Sequence, residues 1–250
     1  MIINFGGSMD DESQSRPKAL ITGASSGIGK ETARAFAQAG VDLALVGRSQ
    51  ERLKDVIAEI EGQVIVKPYL IDLAEVATVK DQLQAAVTDF GGIDILVNNA
   101  GMGYTNPLHE TPLEDWQQVI NLNLTSVFQC IQGVLPTLRN RGGGTIINVA
   151  SIAAHNPFPS WGAYSVSKAG VITLSKALSG EEKENGIRVI SIAPGAVNTP
   201  LWDTDTVKME LDRSAMLDPK VVAQTIVQAA LMPPQAVIEE MTLMPSAGAL

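Results

Sequence analysis

Short apolar runs alternate with amphipathic stretches along most of the chain. The runs have the length of buried strands, whereas the stretches between them, such as Ile28 to Ala39, repeat apolar residues at helical spacing. A regular alternation of strand and helix predicts a parallel sheet with helices on both faces. We therefore predict an α/β fold with a doubly wound sheet of about seven strands. The predicted strands include Ala19–Ile21, Val41–Val46, Val64–Val66, Ile93–Val97, Thr145–Val149 and Ile187–Ile192.

A chain of 250 residues falls within the range in which one α/β sheet forms a single domain. Since no internal repeat or linker divides it, we expect one domain over residues 17–250. The acidic segment from Met1 to Arg16 lacks an apolar run and is predicted to be a mobile leader. The polar stretch from Pro200 to Asp218 has no clear period and is predicted to form a loop or short helices over the site.

Charge and composition disfavour several functions. The formal net charge of -9 disfavours binding to nucleic acid or to anionic membranes. Cys130 is the only cysteine, so no disulfide can form within the chain. His109 and His155 have no partner at metal-binding spacing, and we expect no metal site. Because no secretory or membrane-spanning segment is recognisable, we expect a cytoplasmic protein.

The segment between the first strand and the first helix is rich in glycine and serine. In doubly wound sheets, ligands bind beyond the carboxyl ends of the strands, where this segment lies. A dinucleotide pyrophosphate needs backbone N–H donors at close approach, and glycine leaves room for that approach. A tight turn without a ligand is the alternative. The predicted phosphate-binding residues are Gly23, Ser25, Ser26, Gly27, Ile28 and Gly29.

The residues after the second and third strands indicate which nucleotide binds. A carboxylate after the second strand would bind the adenosine ribose of NAD, but Gly47 is followed by Arg48 and Ser49. A guanidinium can bind the additional 2′-phosphate of NADP, so we predict NADP(H) as the cofactor; an ordinary surface arginine is the alternative. Asp72, followed by Leu73, could accept a hydrogen bond from adenine or cap the next helix.

A tyrosine and a lysine lie four positions apart in a segment predicted to be helical as far as about Glu184. Tyr164 and Lys168 therefore share one helix face. A free phenol ionises only near pH ~10, and a neighbouring cation lowers that pKa toward neutral pH. We therefore predict that Tyr164 is an acid/base group assisted by Lys168.

Ser151 and Asn123 complete the predicted catalytic group. Ser151 follows the fifth strand and can donate a hydrogen bond to a carbonyl oxygen as negative charge develops there. Asn123 lies in the amphipathic stretch from about Leu113 to Arg139, where a polar amide needs partners. A water beside Lys168 would satisfy this amide and provide a proton path; a purely structural amide is the alternative.

Taken together, these motifs resemble the full motif set of the short-chain dehydrogenases/reductases, from about Lys18 to Pro245. The resemblance implies a single Rossmann domain in which the tyrosine is the acid/base and the lysine holds the nicotinamide ribose. By the same resemblance, we expect a homotetramer. The motifs are the glycine loop, Asn98-Asn99-Ala100-Gly101, Asn123, Ser151, Tyr164 with Lys168, and Pro194-Gly195 with Thr199. The further cofactor contacts that the resemblance implies are Asn99, Ala100, Gly101, Tyr164, Lys168, Pro194, Gly195, Val197 and Thr199.

The substrate stays open at this stage. Bulky residues near the predicted mouth favour a partly apolar or aromatic ketone, or a flexible alkyl ketone, and the leading prediction is an NADP(H)-dependent carbonyl reductase. A 3-oxoacyl-acyl-carrier-protein reductase is the alternative, in which Arg139 and Arg141 could contact the acidic carrier. A nucleotide-binding scaffold without turnover is disfavoured because Tyr164 and Lys168 are both present. The predicted substrate-binding residues are Ser151, Tyr164, Met102, His155, Trp161 and Trp202.

Overall fold

Seven parallel strands pair into one sheet in the computed structural model, which describes residues 16–209 and 212–246. The strands are β1 (Lys18–Thr22), β2 (Asp42–Gly47), β3 (Val66–Leu70), β4 (Ile95–Asn98), β5 (Gly144–Val149), β6 (Ile187–Pro194) and β7 (Glu240–Leu243). Their order is β3-β2-β1-β4-β5-β6-β7, so the direction of winding reverses between β1 and β4. The predicted doubly wound α/β fold is confirmed, and its single sheet forms one Rossmann-like domain.

Helices cover both faces of the sheet, and each face has its own hydrophobic core. The helices are α1 (Gly27–Gln38), α2 (Gln50–Ile60), α3 (Val76–Asp89), α4 (Leu113–Ile120), α5 (Ser126–Asn140), α6 (Gly162–Glu182) and α7 (Pro219–Ala230). Apolar side chains of α1, α2 and α7 pack on one face, and those of α3, α5 and α6 pack on the other. A π-helical segment, Asn121–Thr125, joins α4 to α5 and interrupts the stretch predicted as one amphipathic unit.

The strand predictions differ from the structure at both edges of the sheet: the third strand lies farther along the chain than predicted, and the last strand was not predicted. The apolar run Val64–Val66 only begins the third strand, which continues through Lys67 and Pro68. β3 is an edge strand with mostly exposed side chains, which is why an apolar pattern did not reveal it. β7 forms the opposite edge, is short and only partly buried, and was not among the apolar runs.

The ends of the chain and the predicted loop follow the expectations only in part. Residues 1–15 of the predicted leader lie outside the described residues, whereas Arg16 donates a hydrogen bond to the Gln63 carbonyl at 3.1 Å. The stretch after Pro200 contains two 3₁₀ turns, Pro200–Asp203 and Arg213–Ala215, with residues 210–211 outside the described part. Within residues 16–209 and 212–246, no helix is long and apolar enough to cross a membrane.

A buried row of polar side chains fixes α6 relative to the sheet. The Asn98 amide on β4 donates to Asn148 Oδ1 on β5 at 2.8 Å, and the Asn148 amide donates to Ser175 Oγ on α6 at 2.8 Å. All three side chains are almost fully buried. Because unpaired polar groups are costly at such depth, these bonds favour one register between β4, β5 and α6.

We expect Asn148→Ala to lower the free energy of unfolding by about 2–4 kcal/mol, because Asn98 and Ser175 each lose a buried partner and a small cavity forms. Urea denaturation followed by circular dichroism measures the change. The matched control is Asn140→Ala at the exposed end of α5, which should shift stability by less than about 0.5 kcal/mol. A loss below about 1 kcal/mol for Asn148→Ala would show that the row does not hold the elements together.

Candidate active site

One cavity of about 1060 Å³ extends along the carboxyl ends of the strands. It spans the point between β1 and β4 where the winding reverses, which is the usual ligand position in this fold. Three predicted site residues, Gly29, Asn123 and His155, do not line it. The predicted residues that line it are Gly23, Ser25, Ser26, Gly27, Ile28, Arg48, Ser49, Asp72, Leu73, Asn99, Ala100, Gly101, Met102, Ser151, Trp161, Tyr164, Lys168, Pro194, Gly195, Val197, Thr199 and Trp202.

The glycine loop lies at the start of α1 and forms part of the cavity wall. Gly23 and Gly27 have φ values of +65° and +52°, a left-handed conformation that other residues rarely adopt. A Cβ atom on Gly23 would lie 2.9 Å from the Ala100 Cα, so the backbone leaves no space for a side chain. Ser26 precedes α1 without a capping hydrogen bond from its side chain. The first N–H groups of α1 can therefore bind an anion, as a dinucleotide phosphate requires.

Gly29 and Asn99 both support the shape of the glycine loop through contacts within the protein. A Cβ atom on Gly29 would lie 2.2 Å from the Gly23 carbonyl oxygen, so this glycine is needed for close packing of α1 under the loop. The Asn99 amide donates to the carbonyl oxygens of Thr22 and Gly23 at 3.1 and 3.3 Å. The backbone N–H of Asn99 also donates to Thr22 Oγ1 at 3.0 Å. The loop thus has one fixed shape before any ligand binds.

The cavity end beyond β2 and β3 carries two guanidinium groups. Arg48 and Arg52 are exposed and line the cavity, and neither side chain makes an ion pair within the described residues. The sequence analysis missed Arg52. Its position could have indicated a ligand contact, because the first turn of a helix favours acidic residues and a cation there is unusual. Asp72 accepts a hydrogen bond from Ala74 N at 3.0 Å and so caps a turn, whereas Glu75 precedes α3.

The catalytic candidates meet where β5 ends and α6 begins. Lys168 is 5% exposed, and its Nζ donates to the Val149 carbonyl at 2.9 Å. The same Nζ lies 5.8 Å from the centre of the Tyr164 ring. Ser151, directly beyond β5, begins the 3₁₀ turn Ile152–Ala154 and accepts a hydrogen bond from Ala153 N at 3.1 Å. The structure therefore brings the hydroxyl, phenol and ammonium groups to one wall of the cavity.

Burial sets the protonation of both ionisable groups at this wall. It raises the pKa of Tyr164 because phenolate loses hydration, and the Ser151 hydroxyl offsets that rise only in part. It lowers the pKa of Lys168 to about 8, because the ammonium is removed from water and no carboxylate of the described residues compensates. Lys168 was expected to lower the Tyr164 pKa, but in this structure the lowering contribution comes from Ser151.

Asn123 lies close to Lys168, because a Cβ atom on Gly101 would lie 3.1 Å from Asn123 Oδ1 and 3.5 Å from Lys168 Nζ. Its role in a proton path stays a prediction. Asn123 is fully buried in the π-helical segment, where its amide donates to the Met102 carbonyl at 2.9 Å and to Ser167 Oγ at 3.1 Å. Its Oδ1 accepts a hydrogen bond from Met102 N at 2.8 Å. Both donors of the amide and one acceptor position are thus used by protein partners, and the amide fixes the backbone of Met102 in the cavity wall.

His155 was predicted to contact substrate, but the structure does not place it among the residues that line the cavity. Its Nε2 contacts the Glu240 carboxylate at the start of β7, and Lys176 on α6 pairs with the same carboxylate at 3.0 Å. The 3₁₀ turn after Ser151 directs the chain toward the β7 edge, so His155 lies beyond the cavity. Sequence reasoning also missed Met244 on the wall; it follows β7, the strand that no apolar run indicated.

Comparisons with known proteins agree with this geometry. Residues 17–210 match the family model for short chain dehydrogenases. An uncharacterized oxidoreductase of Staphylococcus saprophyticus is 36% identical over 230 residues, which cover 91% of this chain and 96% of that protein. The 3-oxoacyl-acyl-carrier-protein reductase of Thermotoga maritima is 39% identical over 185 residues, covering 74% of this chain and 75% of the reductase.

A solved structure supports the same assignment. L-sorbose reductase from Gluconobacter frateurii, complexed with NADPH and L-sorbose, superposes with a TM-score of 0.84 at 32% identity. The match covers 94% of this chain and 97% of that one. The family match spans more than half of the sequence, and the relatives match along nearly their full length or most of it. The chain therefore belongs to the short-chain dehydrogenase/reductase family of oxidoreductases.

Proposed function

We propose that this protein is an NADP(H)-dependent oxidoreductase that interconverts a ketone or aldehyde and the corresponding alcohol, with Tyr164 as the proton donor and acceptor. The observation that carries the proposal is the shared wall of Ser151, Tyr164 and Lys168 in a cavity that also contains the glycine loop. Gly23 and Gly27 hold the loop in a left-handed conformation, and the first N–H groups of α1 have no capping side chain from Ser26, which fits a closely bound dinucleotide phosphate.

The cofactor, when bound, supplies or accepts a hydride at its nicotinamide. Ser151 would hold the substrate oxygen through its hydroxyl and stabilise the negative charge that develops there. Tyr164 would transfer a proton to that oxygen during reduction and remove it during oxidation. Its raised pKa keeps the phenol protonated at neutral pH in this state, which suits the direction of reduction.

Lys168 supports Tyr164 through its charge and position. With a pKa of about 8, the ammonium is largely protonated at neutral pH, 5.8 Å from the phenol ring. It would hold the nicotinamide ribose and stabilise phenolate once the proton has left. Asn123 acts indirectly as a positioning residue, because its amide fixes the backbone of Met102 beside the reacting groups.

The preference for NADP(H) is supported by the charge at the β2 end of the cavity. Arg48 and Arg52 are both available to a 2′-phosphate, and the residue that follows Gly47 at the end of β2 is Arg48, where a carboxylate would favour the ribose hydroxyl of NAD. The solved L-sorbose reductase structure contains NADPH, which supports the same choice.

The second candidate function is a 3-oxoacyl-acyl-carrier-protein reductase, which the Thermotoga maritima relative favours. The basic residues expected to receive an acidic carrier do not support it. Arg139 pairs with the buried Glu182, and Arg141 pairs with Asp94, so both charges are already compensated. Both also lie just before β5, at the amino end of the sheet and away from the cavity. The expected homotetramer and cytoplasmic location stay predictions.

We expect Tyr164→Phe to reduce kcat for NADPH-dependent ketone reduction by about 100-fold or more, because the proton donor is lost. The Kd for NADPH, from fluorescence titration, should change less than about threefold, since 1.4 kcal/mol corresponds to tenfold. Tyr69→Phe is the matched control, because Tyr69 does not line the cavity and its hydroxyl donates to Asp89 at the end of α3. Unchanged turnover in Tyr164→Phe would refute the proposed role.

We expect Arg48→Ala to lower kcat/KM for NADPH by about 10-fold to 100-fold and to leave that for NADH nearly unchanged, because only NADPH carries the 2′-phosphate. Steady-state kinetics with both cofactors measures the ratio. Arg141→Ala removes a guanidinium from the opposite edge and should preserve the parent's preference. A parent ratio near one, or an equal loss with both cofactors, would contradict the assignment.

We expect Lys168→Met to stabilise the cofactor-free protein by about 1–3 kcal/mol below pH 8, because the folded state lowers the lysine pKa from 10.5 to about 8. Below pH 8, Lys168 is protonated in both the folded and the unfolded protein, so the full free-energy cost of burying its charge is present. Above pH 8, Lys168 of the folded protein loses its proton, and this cost declines. Urea denaturation at pH 6 to 9 measures the difference. A variant less stable than the parent, or a gain independent of pH, would contradict this account.

A further inference from the structure

Two tryptophans form a continuous aromatic surface beside the catalytic tyrosine. The ring centres of Trp161 and Tyr164 are 5.2 Å apart at an interplanar angle of 70°, and those of Trp161 and Trp202 are 5.7 Å apart at 68°. Both tryptophans line the cavity. Trp202 Nε1 donates to the Val197 carbonyl at 2.9 Å, so the only polar atom of that side chain is already bonded. The surface that remains for a ligand is apolar.

Backbone strain holds Trp161 in this position. Ser160 has a φ of +66° and is the one residue other than glycine with positive φ in the described ranges. Its carbonyl accepts a hydrogen bond from Asn106 N at 2.8 Å, and Trp161 N donates to the Phe158 carbonyl at 3.1 Å. A serine in this conformation is costly, and such strain persists where the surrounding structure fixes a functional side chain.

Hydrogen bonds close the segment after Pro200 over the same part of the cavity. Thr105 N donates to the Thr206 carbonyl at 2.9 Å, and Thr206 Oγ1 donates to the Gly103 carbonyl at 2.7 Å. Lys208 N donates to Thr105 Oγ1 at 2.7 Å. These bonds hold Leu201, Trp202 and Met209 on the cavity wall, as far as this segment is described. A substrate in this part would therefore lose much of its hydration.

Charge is confined to the rest of the cavity. Among the described lining residues, the charged side chains are Arg48, Arg52, Asp72 and Lys168. The first three follow β2 and β3, at the end assigned to the adenosine, and Lys168 bonds the Val149 carbonyl. Near the tryptophans the described polar side chains are Ser151, Tyr164, Thr199 and Thr204. The other residues on that part of the wall are Met102, Phe158, Pro159, Leu201, Met209 and Met244.

Two further cations, Lys208 and Arg213, belong to the same segment but do not line the cavity. Arg213 pairs with Asp203 and donates to Asn198 Oδ1 at 2.9 Å and to the Thr199 carbonyl at 3.0 Å. The two residues outside the described part of this segment, Glu210 and Leu211, are not cations. Among the described lining residues, a buried carboxylate on the substrate would have only the Lys168 ammonium near it, which already donates to the Val149 carbonyl, and a polyol would have few partners for its hydroxyls.

We propose that the substrate is a neutral, apolar carbonyl compound whose flat or aromatic part packs against the surface that Trp161 and Trp202 form together. The proposal rests on the proposed oxidoreductase function and adds the substrate class. It excludes keto acids and sugars as preferred substrates, even though the related L-sorbose reductase was solved with a sugar. Trp202 is assigned as a specificity-determining residue, and Ser160 and Asn106 as residues that position Trp161.

A matched pair of ketones tests the substrate class. Methyl 4-acetylbenzoate and 4-acetylbenzoate share the ring and the reacting carbonyl, and differ in one negative charge. With NADPH, kcat/KM for the ester should exceed that for the acid and for L-sorbose by about 100-fold or more, which corresponds to about 2.7 kcal/mol. An equal or higher value for the acid or for L-sorbose would overturn the proposal.

A binding measurement separates this proposal from the proposed function. Calorimetric titration of the two ketones into Tyr164→Phe loaded with NADPH needs no turnover. If the ester binds at least tenfold more tightly than the acid but the parent reduces neither, the substrate class stands and the catalytic assignment fails. If the acid binds as tightly as the ester, or if the ester does not bind, the substrate class is wrong whatever the turnover.

Variants of one tryptophan test its role in specificity. Trp202→Ala should lower kcat/KM for the ester about tenfold, chiefly through KM, and Trp202→Phe should restore most of it, because the aromatic face returns. Trp116→Phe on α4 is the matched control and should behave as the parent does, since Trp116 does not line the cavity. An unchanged KM in Trp202→Ala, with folding verified by thermal denaturation, would remove Trp202 from the site.

Discussion

The hydrogen bond from Lys168 to the Val149 carbonyl is the interaction on which the site depends. It attaches α6 to the carboxyl end of β5, and so it places Tyr164 beside Ser151 at one wall. The ammonium that makes this bond is almost fully buried and pairs with no carboxylate in residues 16–209 and 212–246, so the folded chain carries a charge that burial disfavours. The buried row of Asn98, Asn148 and Ser175 helps to offset the free-energy cost of burying this charge, because its hydrogen bonds fix the same helix farther along.

The cavity separates two kinds of chemistry along one sheet edge. Cations and backbone N–H groups lie beyond β1 and β2, where a charged dinucleotide would bind, and aromatic and thioether side chains lie near α6 and the segment after Pro200. The reacting groups lie between these regions. Phosphate groups need hydrogen-bond donors, and an apolar ketone needs a surface that excludes water. This separation would let one cavity bind a dinucleotide at one end and an apolar ketone at the other.

The sequence predicted the fold and most of the cavity wall because strand periodicity and glycine spacing are local properties. It could not predict that Gly29 packs under the loop, since that role depends on how closely α1 approaches the Gly23 carbonyl. Nor could it reveal that the turn after Ser151 carries His155 to Glu240, or that the Asn123 amide bonds Met102, because these partners are distant in the chain. The edge strands were the weakest part of the pattern, since exposed strands need no apolar run.

The most direct test of the central claim is to follow the hydride itself. NADPH deuterated at C4 of the nicotinamide, on each face in turn, is incubated with the protein and a neutral aromatic ketone, and the alcohol is analysed by mass spectrometry and NMR. The account predicts that deuterium from one of the two isomers appears on the carbinol carbon in the parent, and that Tyr164→Phe yields almost none. Alcohol without deuterium from either isomer, or equal transfer by Tyr164→Phe, would contradict it.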